Sequence, residues 1–115
     1  MKGEVVFQYT SKQAEEDGFL FNLIQINKDW EKGLFNYLTT HLLEQGYLVD
    51  NKINIPNILD LLNQANQIVR KKSNNFKDFD SFFAGKIEFP NGELKEIFIV
   101  QNETGKFTLM LPEDY

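Results

Sequence analysis

His41 is the single histidine of the chain and the first residue whose type could do chemistry. An imidazole acts as a general base when a nucleophile lies within hydrogen-bond reach and a carboxylate orients the ring. Glu31 and Glu44 are carboxylates that could lie near it, but spacing gives neither of them that role. His41 falls on or beside the apolar face of an expected helix. A lone histidine in that setting is more often a packed, hydrogen-bonded residue than a ligand or a base. A pocket joining His41 to two or more carboxylates would shift the balance toward catalysis. Glu15-Glu16-Asp17 is a run of carboxylates, and a hard cation would need such ligands to converge from one side. Neighbouring residues of a helix point about 100° apart, so the run reads as a solvated helix face. Cysteine is absent, which removes disulfides, thiolate metal sites and cysteine nucleophiles. The seven glycines are scattered and form no phosphate-binding loop. No catalytic residue, metal or other cofactor is expected from these patterns.

Arg70-Lys71-Lys72, with Lys77 close behind, is the one basic cluster and the candidate phosphate contact. Helix C-termini also attract cations with no ligand involved, because the helix dipole ends there in partial negative charge. The overall balance of 12 basic against 17 acidic side chains, a net charge of −5, argues against nonspecific nucleic-acid binding. The acidic excess lies in residues 1–50, with four lysines against eight carboxylates. Eleven phenylalanines are unusual in 115 residues. Phe82, Phe83, Phe98 and Phe107 crowd the C-terminal part. Phe82 and Phe83, being adjacent, would point to opposite faces of a strand. Most of these rings should be core, and the remainder would form an interface with a protein partner or a second copy of the chain.

The elements that must position these residues are legible in outline. Residues 4–9 are β-branched and aromatic and read as a strand. Thr10 and Gln13 have the spacing of a capping box, and Gly18 stands where a short helix over 11–17 must stop. Phe19 to Ile26 reads as a second strand. Trp30, Leu34, Tyr37, Leu38, His41 and Leu42 repeat with helical spacing, and Gly46 supplies the stop. Residues 47–54 read as a polar loop. Pro56 opens a further helix whose stripe is Ile58, Leu62, Ala65 and Val69, flanked by Leu59, Leu61 and Ile68. Phe79 to Phe89, Leu94 to Gln101 and Lys106 to Leu111 read as three strands joined at Pro90-Asn91-Gly92 and Asn102-Glu103-Thr104-Gly105. The expectation is one α+β domain over 1–115: an antiparallel sheet, made of a C-terminal three-stranded meander plus the N-terminal strands, packed against two main helices. Ile97-Phe98-Ile99-Val100 is apolar on both faces, which implies that both sheet faces are covered. Two helices would cover only one, and a two-fold dimer would supply the second cover.

Tyr9-Thr10-Ser11-Lys12-Gln13-Ala14-Glu15-Glu16-Asp17-Gly18-Phe19-Leu20 and Thr108-Leu109-Met110-Leu111-Pro112-Glu113-Asp114 resemble the two end motifs of a family of short uncharacterised proteins. That family, a domain of unknown function, occurs in bacteria, archaea, phages and plasmids. Its members open with Tyr-Thr-Arg-x-Gln-Ala-x-x-Asp-Gly-x-Leu and close on Met-Leu-Pro-Glu followed by Asp or Glu. This chain departs in having Ser11 where Arg is frequent and Asn22 where Asp is common. The resemblance implies a habitat on mobile genetic elements and, by that habitat, an accessory or interaction role. No apolar run is long enough to span a bilayer and no leader pattern opens the chain, so a cytoplasmic protein without membrane association is expected. A non-enzymatic interaction protein is therefore the leading expectation. A nucleic-acid accessory protein using residues 70–77 comes second, and an unrecognised enzyme third.

Overall fold

The three strands expected in the C-terminal third form, though Phe79 and Asp80 of the first lie outside the described residues. In the computed structural model, which describes residues 9–72 and 81–115, β5 spans Phe82–Glu88, β6 Leu94–Gln101 and β7 Phe107–Met110. They pair as an antiparallel meander, with Phe83 opposite Ile99 and Ile99 opposite Leu109. Gly92 and Gly105 take φ of 87° and 89° in the two turns, the left-handed conformation that glycine adopts without steric cost. Two further strands complete the sheet. β1 (Leu20–Asn22) pairs antiparallel with β2 (Phe35–Thr39), and β2 lies parallel to β7, giving the order β1-β2-β7-β6-β5. The fold is α+β, but the sheet is mixed rather than wholly antiparallel.

The first half of the chain departs from expectation in three places. The stretch from Trp30 to Leu42 is not a helix. Lys28–Lys32 is a 3₁₀ turn, Gly33 is extended, β2 follows, and only α2 (Thr40–Leu43) is helical. Two periods coexist in this segment. Leu34, Leu38 and Leu42 repeat every four residues, while Phe35, Tyr37 and Thr39 repeat every two. Pairing with β1 on one side and β7 on the other decides in favour of the strand, with a register irregularity between Phe35 and Tyr37. Thr39 then caps α2, its hydroxyl accepting from the Leu42 N–H at 3.2 Å. The polar loop expected over 47–54 is a small hairpin of β3 (Leu48–Val49) and β4 (Lys52–Ile53). Its two turn residues, Asp50 and Asn51, both have positive φ, as a two-residue hairpin turn requires. The strand expected over Phe19 to Ile26 stops at Asn22, whose side chain caps a 3₁₀ turn over Leu23–Gln25.

One main helix therefore stands where two were expected. α3 spans Ile55–Lys72, with Pro56 in its first turn. Its Ile58, Leu61 and Ala65 are fully buried, while Leu62, Ile68 and Val69 lie partly buried at the edge of the core and Leu59 is exposed. They pack in one cluster with Phe83, Ile87, Phe89, Ile97, Ile99, Phe107, Leu109 and Leu111, the inward residues of the meander. Gly85 belongs to the same face. A Cβ there would stand 2.7 Å from Ile68 Cδ1, so the close approach of α3 to β5 depends on glycine. α3 also caps the outer edge of β5. Gln64 accepts from the Glu88 N–H (2.8 Å) and donates to its carbonyl (3.0 Å), and Lys72 donates to the Ala84 carbonyl (2.7 Å). An edge with three of its backbone groups already bonded is a poorer template for a further strand. No helix among the described residues is long and apolar enough to cross a membrane. The expected strand over 4–9 lies outside the described residues, apart from Tyr9.

Candidate functional site

The opposite face of the sheet carries no helix of comparable length. Its outward residues are Phe98 and Val100 on β6, Thr108 and Met110 on β7, and Tyr37 and Thr39 on β2. α1 (Ser11–Glu16) rises on one side of this floor. It is built as the sequence predicts: the Gln13 N–H donates to the Thr10 hydroxyl at 3.1 Å, and the Gln13 side chain accepts from the Thr10 N–H at 2.8 Å. Gly18, at φ 85°, turns the chain out of the helix into β1. Ser11 fixes α1 to the β6–β7 turn, its N–H and hydroxyl both donating to Glu103 at 3.0 and 2.9 Å. Burial pushes the Glu103 carboxyl up, but the bonds from its own N–H and from Ser11 outweigh that and hold it below the usual carboxylate value.

Between these walls lies a cleft of about 640 Å³. Tyr9, Thr10, Ser11, Ala14, Phe19 and Leu20 form one side, and Thr40, His41, Glu44 and Asp114 the other. Val100, Thr108 and Met110 lie beneath, with Gln101 and Asn102 at one end. The surface it exposes is mainly apolar, with polar side chains on every side of it, the usual make-up of a ligand or side-chain pocket. Residues of the two end segments, some ninety residues apart in the chain, thus line a single cleft.

His41 sits at this site with a partner that sequence spacing does not reveal. Its Nδ1 lies 3.0 Å from Asp114 Oδ1. The other oxygen, Asp114 Oδ2, accepts from the Thr39 hydroxyl at 2.7 Å and from the Leu111 N–H at 3.2 Å. The hydrogen bond to Asp114 and the charge of Asp114 raise the His41 pKa above its ordinary 6.5; burial opposes them, and Glu113 and Glu44 add lesser upward contributions. Glu44 lines the same cleft, so His41 is joined there to two carboxylates. Among the described residues no hydroxyl hydrogen-bonds the remaining ring nitrogen, and no three His, Asp or Glu side chains are grouped so as to hold a metal ion.

The other candidates separate. Glu15, Glu16 and Asp17 diverge: Glu15 accepts from Gln25 and Tyr37, and Asp17 from the Tyr9 hydroxyl at 2.6 Å. Arg70 and Lys71 are exposed on α3 and line a second groove, where the structure adds Lys86 from β5. Lys72 is tied to Ala84, and Lys77 lies outside the described residues. The aromatic quartet divides by strand alternation. Phe83 and Phe107 are only 5% and 6% exposed, facing α3, and so cannot serve as interface residues on this fold. Phe82, 38% exposed, and Phe98 lie on the cleft face and form an edge-on cluster with Tyr115, at centroid distances of 4.8 to 5.6 Å. Asp114, Glu103, Lys86 and Tyr115 are the residues that sequence reasoning passes over. The clue to Asp114 was that a carboxylate closes the second end motif. No protein-family model, curated protein or solved structure matches the chain.

Proposed function

We propose that this chain is a small non-enzymatic interaction protein and that the cleft between its two end segments is the binding surface. The observation that carries this reading is the convergence of residues 9–20 and 108–114 on one largely apolar depression. A sheet face left without a long helix is also the place where the sequence calls for a partner to complete the cover. The resemblance of those two segments to proteins of phages and plasmids supports an accessory role on a mobile element. Affinity purification from the native host tests the reading, with three baits compared. Wild type should retain a protein that Met110→Trp, which fills the cleft floor, loses. An Arg70→Glu/Lys71→Glu bait should retain it. Retention by the filled variant removes the cleft from the interaction. Loss with the charge-reversed bait, together with salt-sensitive recovery of nucleic acid, would favour the groove on α3 instead. Sedimentation at micromolar concentration tests whether the partner is a second copy.

One observation favours a second reading, general-base catalysis. His41 is oriented through Nδ1 by Asp114, the arrangement that leaves Nε2 able to take a proton. Under that reading an activity would depend on His41 and fall by about 10²-fold or more in His41→Gln. A panel of ester, amide and phosphoester substrates on which wild type and His41→Gln behave alike removes it.

A further inference from the structure

The cleft also has a charge pattern, and it narrows the chemistry of what can sit there. Of its lining residues Glu44 and Asp114 are acidic, and none is a lysine or arginine. Asp114 is fully engaged: its carboxylate meets His41, the Thr39 hydroxyl and the Leu111 N–H. Glu44 is different. It is exposed at the end of α2, and its carboxylate accepts no hydrogen bond among the described residues. His41, the one basic side chain of the lining, is already paired with Asp114, so an anionic group entering the cleft would meet the Glu44 carboxylate with no lysine or arginine to offset it, whereas a cation would meet a free acceptor. The apolar part is larger than the depression itself. Met110 stands opposite Phe98 and Val100 opposite Phe82 in the sheet register, so the floor continues into the Phe82–Phe98–Tyr115 cluster. Such a strip suits side chains spaced along a polypeptide better than a single compact molecule.

We propose that the cleft takes a segment of a protein partner in which a lysine or arginine stands beside a large apolar side chain. The apolar side chain lies over Val100 and Met110, and the cation pairs with Glu44. This rests on the cleft being the binding surface. Three blocked dipeptides test it on the full chain: N-acetyl-phenylalanyl-arginine amide and its counterparts with glutamine and glutamate in place of arginine. Amide shifts of Val100, His41, Glu44 and Met110 report their binding. The expected result is that the arginine peptide binds about tenfold more tightly than the glutamate peptide, with glutamine between them. Glu44→Gln, a change at an exposed carboxylate that accepts no hydrogen bond among the described residues, should remove most of that spread. Equal affinity for all three overturns the charge preference and leaves the cleft reading standing. If none of the three moves these amides, the cleft reading itself falls.

Discussion

The five-stranded sheet has two faces made from the same strands, and they are put to different use. On β6, Ile97 and Ile99 are fully buried under α3, while Phe98 and Val100, their immediate neighbours, remain partly exposed on the cleft side. On β7, Leu109 is fully buried and Met110 is not. The closed face joins the chain's longest helix to the inward residues of the meander. The open face is bounded by the six-residue α1 and the four-residue α2, held in place by polar bonds: Ser11 to Glu103, Thr39 and His41 to Asp114. Because side chains alternate along a strand, neighbouring residues can be assigned to stability and to recognition almost independently.

The sharpest way to break this division is to compare adjacent residues. Ile99→Ala removes a fully buried side chain from a close-packed cluster and should cost about 3–4 kcal/mol, transfer and cavity contributions together. Phe98→Ala removes a larger side chain, yet one that water already reaches, and should cost about 1 kcal/mol. Urea denaturation of the two variants measures both. Equal losses would mean that the open face is as structural as the closed one. It would then have little freedom to be a binding surface.

The next effect is at Asp114, where the open face is tied together. Asp114→Ala leaves the Thr39 hydroxyl, itself buried, with no acceptor for its proton, and leaves the Leu111 N–H without the bond that Asp114 makes. Stranding a buried donor costs about 1–3 kcal/mol. Pairing the change with Thr39→Val in a double-mutant cycle isolates the coupling. An Asp114→Ala loss unaffected by Thr39→Val would show that this hydrogen bond contributes little.

How much of this could be read beforehand follows from the range of the interactions. The meander, its two turns, the capping box at Thr10 and the extent of α3 depend on alternation, turn residues and caps, all local in sequence. The segment from Trp30 to Thr39 satisfies a helical and a strand period at once. Only the neighbours β1 and β7, one of them about seventy residues away, choose between them. The Asp50-Asn51 turn was readable, since two residues tolerant of positive φ stand between Leu48-Val49 and Lys52-Ile53. The site itself was half legible. Both end segments were singled out, but their meeting depends on the parallel pairing of β2 with β7. His41 was singled out as well, but without Asp114, which reaches it through the 3₁₀ turn at Pro112–Asp114.

A smaller loss is expected from the wall of the cleft. Thr10→Ala removes the acceptor for the Gln13 N–H, and a lost N-cap typically costs about 1 kcal/mol. α1 is short and depends on its cap and on Ser11, so the change should also loosen the cleft. Hydrogen exchange should therefore rise in residues 11–17 and stay unchanged in α3. A uniform rise across both would show that α1 is not a separate wall but part of the same cooperative unit as the closed face.

The smallest effect expected is one of pH, and it too distinguishes the faces. The His41 pKa is raised in the folded protein, by the hydrogen bond it donates to Asp114 first and then by that residue's charge, with Glu113 and Glu44 contributing. A raised pKa means that the folded state holds the proton more tightly than the unfolded chain does. The stabilisation is therefore complete below the ordinary value near 6.5 and is lost as pH rises through the folded pKa above it. Since the ring is half exposed, solvent screens the interaction and the effect stays small. His41→Gln should differ most from wild type below the ordinary value near 6.5 and converge on it as pH rises through the raised folded value, read as thermal midpoints in the same buffers. The Ile99→Ala penalty should change little over that range, because its burial in an apolar cluster involves no proton. If the His41→Gln difference is flat, or widens with rising pH, the bond to Asp114 does not hold the open face together. The Ser11–Glu103 bonds would then have to hold the cleft in its place.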